Sequence, residues 1–184
     1  MTFEKVTIRE TTEIDLDDII QVETIAFGQD EEAILVSDLL SDTTAKPTLS
    51  LLAFCESKPV GHVMFSRVYV KNSQHQPLMH ILAPLAVIPS FQRKGIGGKL
   101  INKGIETLKA RGSELVFVLG HETYYPKFGF IPNAGKFGFA PPYPIAEKHV
   151  NAWMFQWLNK EKQNSCSGKI TCADVLNNPK YWVD

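Results

Sequence analysis

Two short stretches of this chain carry residue types that can do chemistry. The first is Gln92-Arg93-Lys94-Gly95-Ile96-Gly97-Gly98, which follows the apolar run Leu82–Pro89 and opens a helix-periodic segment. Small residues at a helix start leave backbone N–H groups unobstructed. These orphan donors, with the partial positive charge of the helix end, attract phosphate or pyrophosphate. The basic side chains Arg93, Lys94 and Lys99 suit the same ligand. No Gly-x4-Gly-Lys-Ser/Thr string is present, and Leu100 stands where a dinucleotide fingerprint needs its third glycine, so neither familiar nucleotide loop fits.

The second stretch is His121-Glu122-Thr123-Tyr124-Tyr125-Pro126-Lys127-Phe128-Gly129-Phe130. A phenol titrates near about 10, so at neutral pH it holds a proton to donate. Taken alone, Tyr-Tyr-Pro reads as core or turn. His121, Glu122 and, on the strand leading to the glycine loop, His80 are the nearest groups that can accept a proton. Cys55, Cys166 and Cys172 lie away from both stretches without metal-ligand spacing, which points to no metal site and argues against an acyl-cysteine intermediate.

The elements that must position these stretches follow from periodicity. Val6–Arg9 alternates as a first strand. Asp15 or Asp17 caps a helix with an apolar stripe Leu16, Ile19, Ile20, Glu23, Phe27, closed by Gly28. A second helix over 31–40 is expected to bury Ile34, Leu35 and Leu39. Residues 49–56 and 60–70 read as antiparallel strands about a Ser57-Lys58-Pro59 turn, and 79–87 as the next strand. Pro84 cannot donate to a ladder, so it marks an edge or a bulge. Ile96, Leu100, Ile101, Ile105 and Leu108 share one face of the helix after the glycine loop, and Leu115–Leu119 reads as a strand buried on both faces. A late strand over 152–158, a further short strand near 168–171 and a docking aromatic tail complete the pattern.

Gln92-x-x-Gly95-x-Gly97 after the strand Leu85-Ala86-Val87-Ile88-Pro89, followed by Tyr125-x-x-x-Gly129-Phe130, closely resembles the acetyl-CoA signature of the GNAT superfamily of N-acetyltransferases. The longer Leu-Gly-x-x-x-Tyr-Tyr form resembles the bacterial YhbS-like subgroup. The resemblance implies an α+β fold of three-layer type: a central mixed, mostly antiparallel sheet of about seven strands flanked by helices, with a splayed strand pair forming the acetyl-CoA cleft. It implies acetyl-CoA as co-substrate and no metal. Gln92, Arg93, Lys94, Gly95, Ile96, Gly97 and Gly98 would hold the pyrophosphate, and the backbone of Leu85, Ala86 and Val87 would pair with the pantetheine arm. Tyr125 would be the general acid, with Tyr124 as its substitute and His121 as a possible base. The first two helices would line one wall of the acceptor groove.

The whole chain sets bounds on this reading. Its 184 residues suit one domain over 1–184, with a motif-bearing core at about 6–130 and a C-terminal strand and tail at 131–184. A net charge of −1 gives no global field favouring nucleic acid or an anionic membrane. No secretory leader and no apolar run of membrane-spanning length is apparent, so the expectation is a cytoplasmic protein, monomer or homodimer. The expected activity is acetyl transfer to a small-molecule or peptide amine. A non-catalytic acetyl-CoA sensor or interaction module is the alternative, and a nucleotide-binding regulator a third reading.

Overall fold

The computed structural model describes residues 5–183. Its frame is one eight-stranded mixed sheet. The strands are β1 (Val6–Glu10), β2 (Leu49–Cys55), β3 (Lys58–Val70), β4 (Met79–Val87), β5 (Leu115–Leu119), β6 (Ile131–Pro132), β7 (Trp153–Trp157) and β8 (Ile170–Cys172). They lie in the order β1-β2-β3-β4-β5-β7-β6, and β8 pairs with the far end of β3. β8, which docks Ile170–Cys172 on Val68–Val70, is the short strand expected near 168–171, and β6, paired with β7 at Ile131↔Phe155 and Pro132↔Met154, is the strand that extends the expected sheet of about seven.

The helices are α1 (Leu16–Phe27), α2 (Glu31–Ser41) and α3 (Ile96–Ala110). Gly28 closes α1 in the left-handed conformation at φ 71°, donating its N–H to Thr24. The buried face of α1 is Ile19, Val22 and Glu23; Leu16, Ile20 and Phe27 of the expected stripe are exposed. Likewise α2 buries Ala33, Leu35, Val36 and Leu39 and leaves Ile34 57% exposed. Each helix therefore buries a narrower face than its apolar residues alone suggest: α1 packs on β3 and β4, and α2 chiefly on α1. Asp15 is at the N-cap position of α1 without capping it: its carboxylate takes Arg9 at 2.7 and 2.8 Å and the Thr12 N–H.

The hairpin turn falls at Glu56-Ser57, one position earlier than expected, with Glu56 at φ 56° and Cys55 opposite Lys58. Along β3, odd residues face α3 and even residues face α1. Gly61 lies beneath Leu100 and Ile96, and Phe65 lies against Gly104, where an added Cβ would sit 2.3 Å from the ring. Ser50 and His62 face the other side, toward α1. α3 carries the chain from β4 to β5, the parallel pair that needs a crossover helix.

The parallel pair opens along its length. β4 and β5 are matched from Met79↔Leu115 to Leu82↔Val118, and the pairing then stops. β4 continues to Val87 against β3, with a register shift between Val63↔Leu85 and Phe65↔Leu82 that places an extra residue on β4 at Ala83-Pro84. This is the disruption expected at Pro84, whose missing N–H releases the ladder. Meanwhile β5 is held by β7, from Leu115↔Trp157 to Leu119↔Trp153. The aromatic tail docks as expected: Trp182 is buried, donates to the Leu176 carbonyl and packs edge-on against Trp153. Cys166 and Cys172 are not joined in a disulfide. Among the described residues no helix is long and apolar enough to cross a membrane.

Candidate active site

The gap between β4 and β5 opens into a cleft of about 1150 Å³. Its floor is Leu82–Leu85 and Val87 of β4, one wall is the glycine loop with the first turn of α3, and the opposite wall is Leu119-Gly120-His121 with the aromatic turn after β5. Phe27 and Glu32 close it from the α1–α2 side.

The glycine loop is shaped for an anion. Arg93 at φ 61° and Gly95 at φ 79° turn the chain sharply, Gly95 being the N-cap of α3. The backbone N–H groups of residues 93–98 have no backbone acceptor among the described residues; Lys99 is the first to donate, to Gly95. The Gln92 Nε2 donates to the Val87 carbonyl at 2.9 Å and ties the loop to β4. Gly97 and Gly98 keep the approach open, because an added Cβ would lie 2.7 Å from the Tyr124 hydroxyl and 2.8 Å from the Phe128 ring respectively.

Most of the expected site residues converge here. Leu85, Val87, Gln92, Arg93 and the stretch Gly95–Gly98 all line the cleft, as do His121, Tyr124 and Tyr125. Two do not. The Ala86 side chain is buried on the α1 face of β4 opposite His62, so only its backbone is available. Lys94 turns away, its ammonium 4.7 Å from the centre of the Phe91 ring. Lys99, grouped in the sequence with Arg93 and Lys94 as suited to a phosphate, also lines the cleft. Sequence reasoning missed Asn102, on the cleft-facing side of α3, and Phe128, which packs edge-on against Tyr124. Helical spacing from the loop could have found Asn102; nothing local marks Phe128.

The two tyrosines differ in setting. Tyr125 is 9% exposed, packed edge-on against Tyr124 and Phe130 and lying over Gly120, where a Cβ would meet its ring at 2.4 Å. Burial pushes its phenol well up, and the neighbouring Tyr124 adds to the shift, so Tyr125 stays protonated across the physiological range. Tyr124 is half-buried, raised less by the same cause, and reaches across to Gly97. His121 is exposed at the cleft wall, and its carbonyl accepts from the N–H groups of both tyrosines.

His80 is not in the cleft. It is buried between Ser113, at 2.8 Å, and the Pro47 carbonyl, at 2.9 Å, and burial pulls its imidazole down to about 4. Glu23, in the expected stripe of α1, is fully buried. Its Oε1 is 2.5 Å from His62 Nδ1, and His62 Nε2 is 2.8 Å from Ser50 Oγ. Desolvation raises the Glu23 carboxyl against the opposing pull of His62, and its Oε2 has no hydrogen-bond partner among the described residues. This chain of contacts ties α1 to β2 and β3 behind β4. Among the described residues no group of three or more His, Cys, Asp or Glu is placed to hold a metal ion.

A parallel pair that splays beside an N–H-rich helix start, with phenols facing the opening, is the architecture of an acetyltransferase domain. The sequence profile of the acetyltransferase (GNAT) family matches residues 14–131, and the chain belongs to that family. It is 52% identical over 174 residues to YjhQ of Escherichia coli K12, named as an uncharacterised N-acetyltransferase, spanning 95% of this chain and 96% of YjhQ. YhbS of the same strain, also named as an uncharacterised N-acetyltransferase, is 36% identical over 106 residues, 57% of this chain and 61% of YhbS. The crystal structure of Escherichia coli YhbS in complex with CoA superposes with a TM-score of 0.85 at 26% identity, covering 97% of this chain and 95% of that one. A GNAT-family acetyltransferase from Brucella melitensis in complex with acetyl-CoA shares the fold, with a TM-score of 0.74 at 24% identity over 95% of this chain and 99% of that one. The chain is an acyltransferase of the acetyl-CoA-dependent N-acetyltransferase type.

Proposed function

We propose that the protein transfers an acetyl group from acetyl-CoA to an amine by direct attack in a ternary complex. The observation that carries this reading is the single cleft into which the unpaired edge of β4, the free N–H groups of the glycine loop and Tyr125 all open. The donor set fits the ligand. The loop N–H groups of residues 93–98 take the pyrophosphate, with Arg93 and Lys99 supplying charge. The β5-facing edge at Leu85–Val87, left without a strand partner after Leu82, takes the amides of the pantetheine arm as a pseudo-strand. A backbone N–H on that edge stabilises the oxyanion, a contribution of about 3–4 kcal/mol where such donors have been removed from other enzymes.

In the reaction the amine nitrogen bonds to the thioester carbonyl carbon, the C–S bond breaks, and the sulfur leaves with the proton of the Tyr125 phenol. The proton shed by the amine passes to water at the exposed His121 side of the cleft and returns to Tyr125 by the same solvent. Burial suits Tyr125 to the acid's part, because it holds the proton until a basic thiolate develops beside it. Tyr124 narrows the cleft from the wall opposite Gly97.

Isothermal titration with acetyl-CoA, CoA and ATP, then thiol release with a panel of amines, tests the reading. The expected outcome is micromolar acetyl-CoA binding, weak ATP binding, and turnover that falls about 10²-fold or more in Tyr125→Phe with little change in acetyl-CoA affinity. Preferential ATP binding refutes the cleft assignment; full turnover in Tyr125→Phe refutes the acid.

A further inference from the structure

Charge is segregated along this chain in a way that the acetyl-CoA site does not use. Between residues 10 and 45 there are eleven of the twenty acidic residues and not one of the nineteen lysines and arginines. That segment is α1, α2 and their flanks. Four of its carboxylates have internal work: Glu10 pairs with Arg111, Asp15 with Arg9, Glu23 with His62, and Asp42 accepts from Thr44. Asp30, Glu31, Glu32 and Asp38 have no ion-pair partner among the described residues. For Glu31 and Glu32 the first turn of α2 is a favourable place, since the helix dipole welcomes acids there. Asp38 has no such reason. It sits in the last turn, where the dipole disfavours a carboxylate and no basic residue compensates.

Asp38 and Asp30 border a second opening of about 480 Å³ on the outer side of α1 and α2, lined also by Ile20, Thr24, Ile34 and Ser37. Ile20 is 37% and Ile34 57% exposed, so this groove is an apolar strip with an acidic rim. It adjoins the cleft: Glu32 lines the cleft and Ala33, the next residue, lines the groove, while on α1 Phe27 lines the cleft one turn beyond Thr24. The two openings lie on either side of one helix, about 10 Å across, a span that about three extended residues cover.

We propose that the acceptor is the amine of a basic polypeptide segment, a proposal that rests on the acetyl-transfer reading. The amine enters the cleft between Phe27 and Glu32, and the flanking residues cross α2 into the outer groove. There an apolar side chain packs on Ile20 and Ile34, and lysine or arginine side chains meet Asp30 and Asp38. A second copy of this chain fits the groove poorly, because a two-fold contact would set the same acidic rim against itself. A free polyamine would satisfy the carboxylates but leave the isoleucines uncovered.

The test uses the full chain and a fluorescein-labelled nine-residue peptide with one central lysine, two flanking arginines and two leucines, beside a copy with glutamates for arginines. Anisotropy is read without acetyl-CoA, and acetylation by mass with it; spermidine is the small-amine comparison. The expected result is binding of the basic peptide only, weakening as salt rises. Asp30→Lys with Asp38→Lys should weaken it about tenfold or more and raise the KM for the peptide while kcat holds. CoA affinity and thermal melting check that the variant folds, and Ile34→Lys, at an exposed position, gives an independent second variant. Equal binding of both peptides, no effect of either variant, or a concentration-dependent dimer abolished by Ile34→Lys overturns the proposal. The two readings fail separately: acetylated spermidine with an ignored peptide sinks the groove alone, whereas a bound peptide with no acetylation of any amine sinks acetyl transfer.

Discussion

Replacing Gly120 with alanine places a methyl group where the Tyr125 ring now lies. The new Cβ would sit 2.4 Å from Tyr125 Cε2 and 3.0 Å from Cδ2. Carbon atoms in contact rest about 3.5–4.0 Å apart, so the ring must retreat by about 1 Å. Nothing behind it yields easily, because Phe130 is 5.7 Å away edge-on and Tyr124 5.2 Å, and Tyr125 itself is 9% exposed. Overpacking of this kind costs about 1–3 kcal/mol, partly offset by the smaller backbone entropy of alanine, about 0.5–1 kcal/mol. The functional effect is larger than the structural one. A reacting group displaced by about 1 Å loses about 10²-fold in rate. We therefore expect Gly120→Ala to melt a few degrees early, to bind acetyl-CoA within about threefold of wild type, and to turn over about 10²-fold more slowly. The assay is thiol release at saturating acetyl-CoA with the best amine of a panel, beside Tyr125→Phe and the double variant. If misplacement of the phenol is the cause, the double variant is no slower than Tyr125→Phe. Wild-type turnover in Gly120→Ala with the ring displaced, or a double variant in which the two losses multiply, would refute the reasoning.

Other expectations concern the frame. Gly104→Ala brings a Cβ to 2.3 and 2.4 Å from two atoms of the fully buried Phe65 ring, so overpacking of about 1–3 kcal/mol outweighs the gain of about 1 kcal/mol in helix propensity, and urea melts should show a net loss; a stabilised variant would contradict this. His80 has its folded-state value below its ordinary 6.5, so the unfolded chain binds the extra proton first and stability is lost as pH falls from about 6.5 to about 4, by about 3 kcal/mol at most. His80→Gln should flatten that part of the pH dependence of urea midpoints, and an unchanged slope would assign it elsewhere. Glu23→Ala leaves His62 Nδ1 buried without its partner and opens a cavity, costing about 3 kcal/mol, whereas Glu23→Gln keeps an acceptor in place and costs less; equal losses in thermal melting would show that the contact carries no weight.

Much of the site was legible because its parts are local. The glycine run, the strand that ends in Val87 and the Tyr-Tyr turn are each a contiguous string, and their chemistry follows from backbone geometry at a helix start and from the proton on a phenol. The bounds of β4, Met79–Val87, and of β5, Leu115–Leu119, coincide with their apolar runs. The Pro84 bulge was readable too, since a missing N–H breaks a ladder wherever it falls. What the sequence by itself determined, then, was the order of most of the elements, the glycine loop at the start of α3 and the family.

Tertiary structure decided the rest, because it depends on which faces meet. Ile34 and Leu35 are equally apolar, but only Leu35 turns inward where α2 packs, chiefly against α1. Glu23 reads as a solvated helix acid until β3 brings His62 against it from 39 residues away. Lys94, adjacent to the loop, folds back on Phe91, while Lys99 and Asn102 rotate into the cleft. The unpaired edge of β4 lies where its pairing with β5 ends at Leu82 while β5 stays paired with β7 as far as Leu119, and those partners come from distant parts of the chain. Side-chain direction across a sheet and the end of a strand pairing are set by partners the local sequence does not contain, and so only the folded chain shows them.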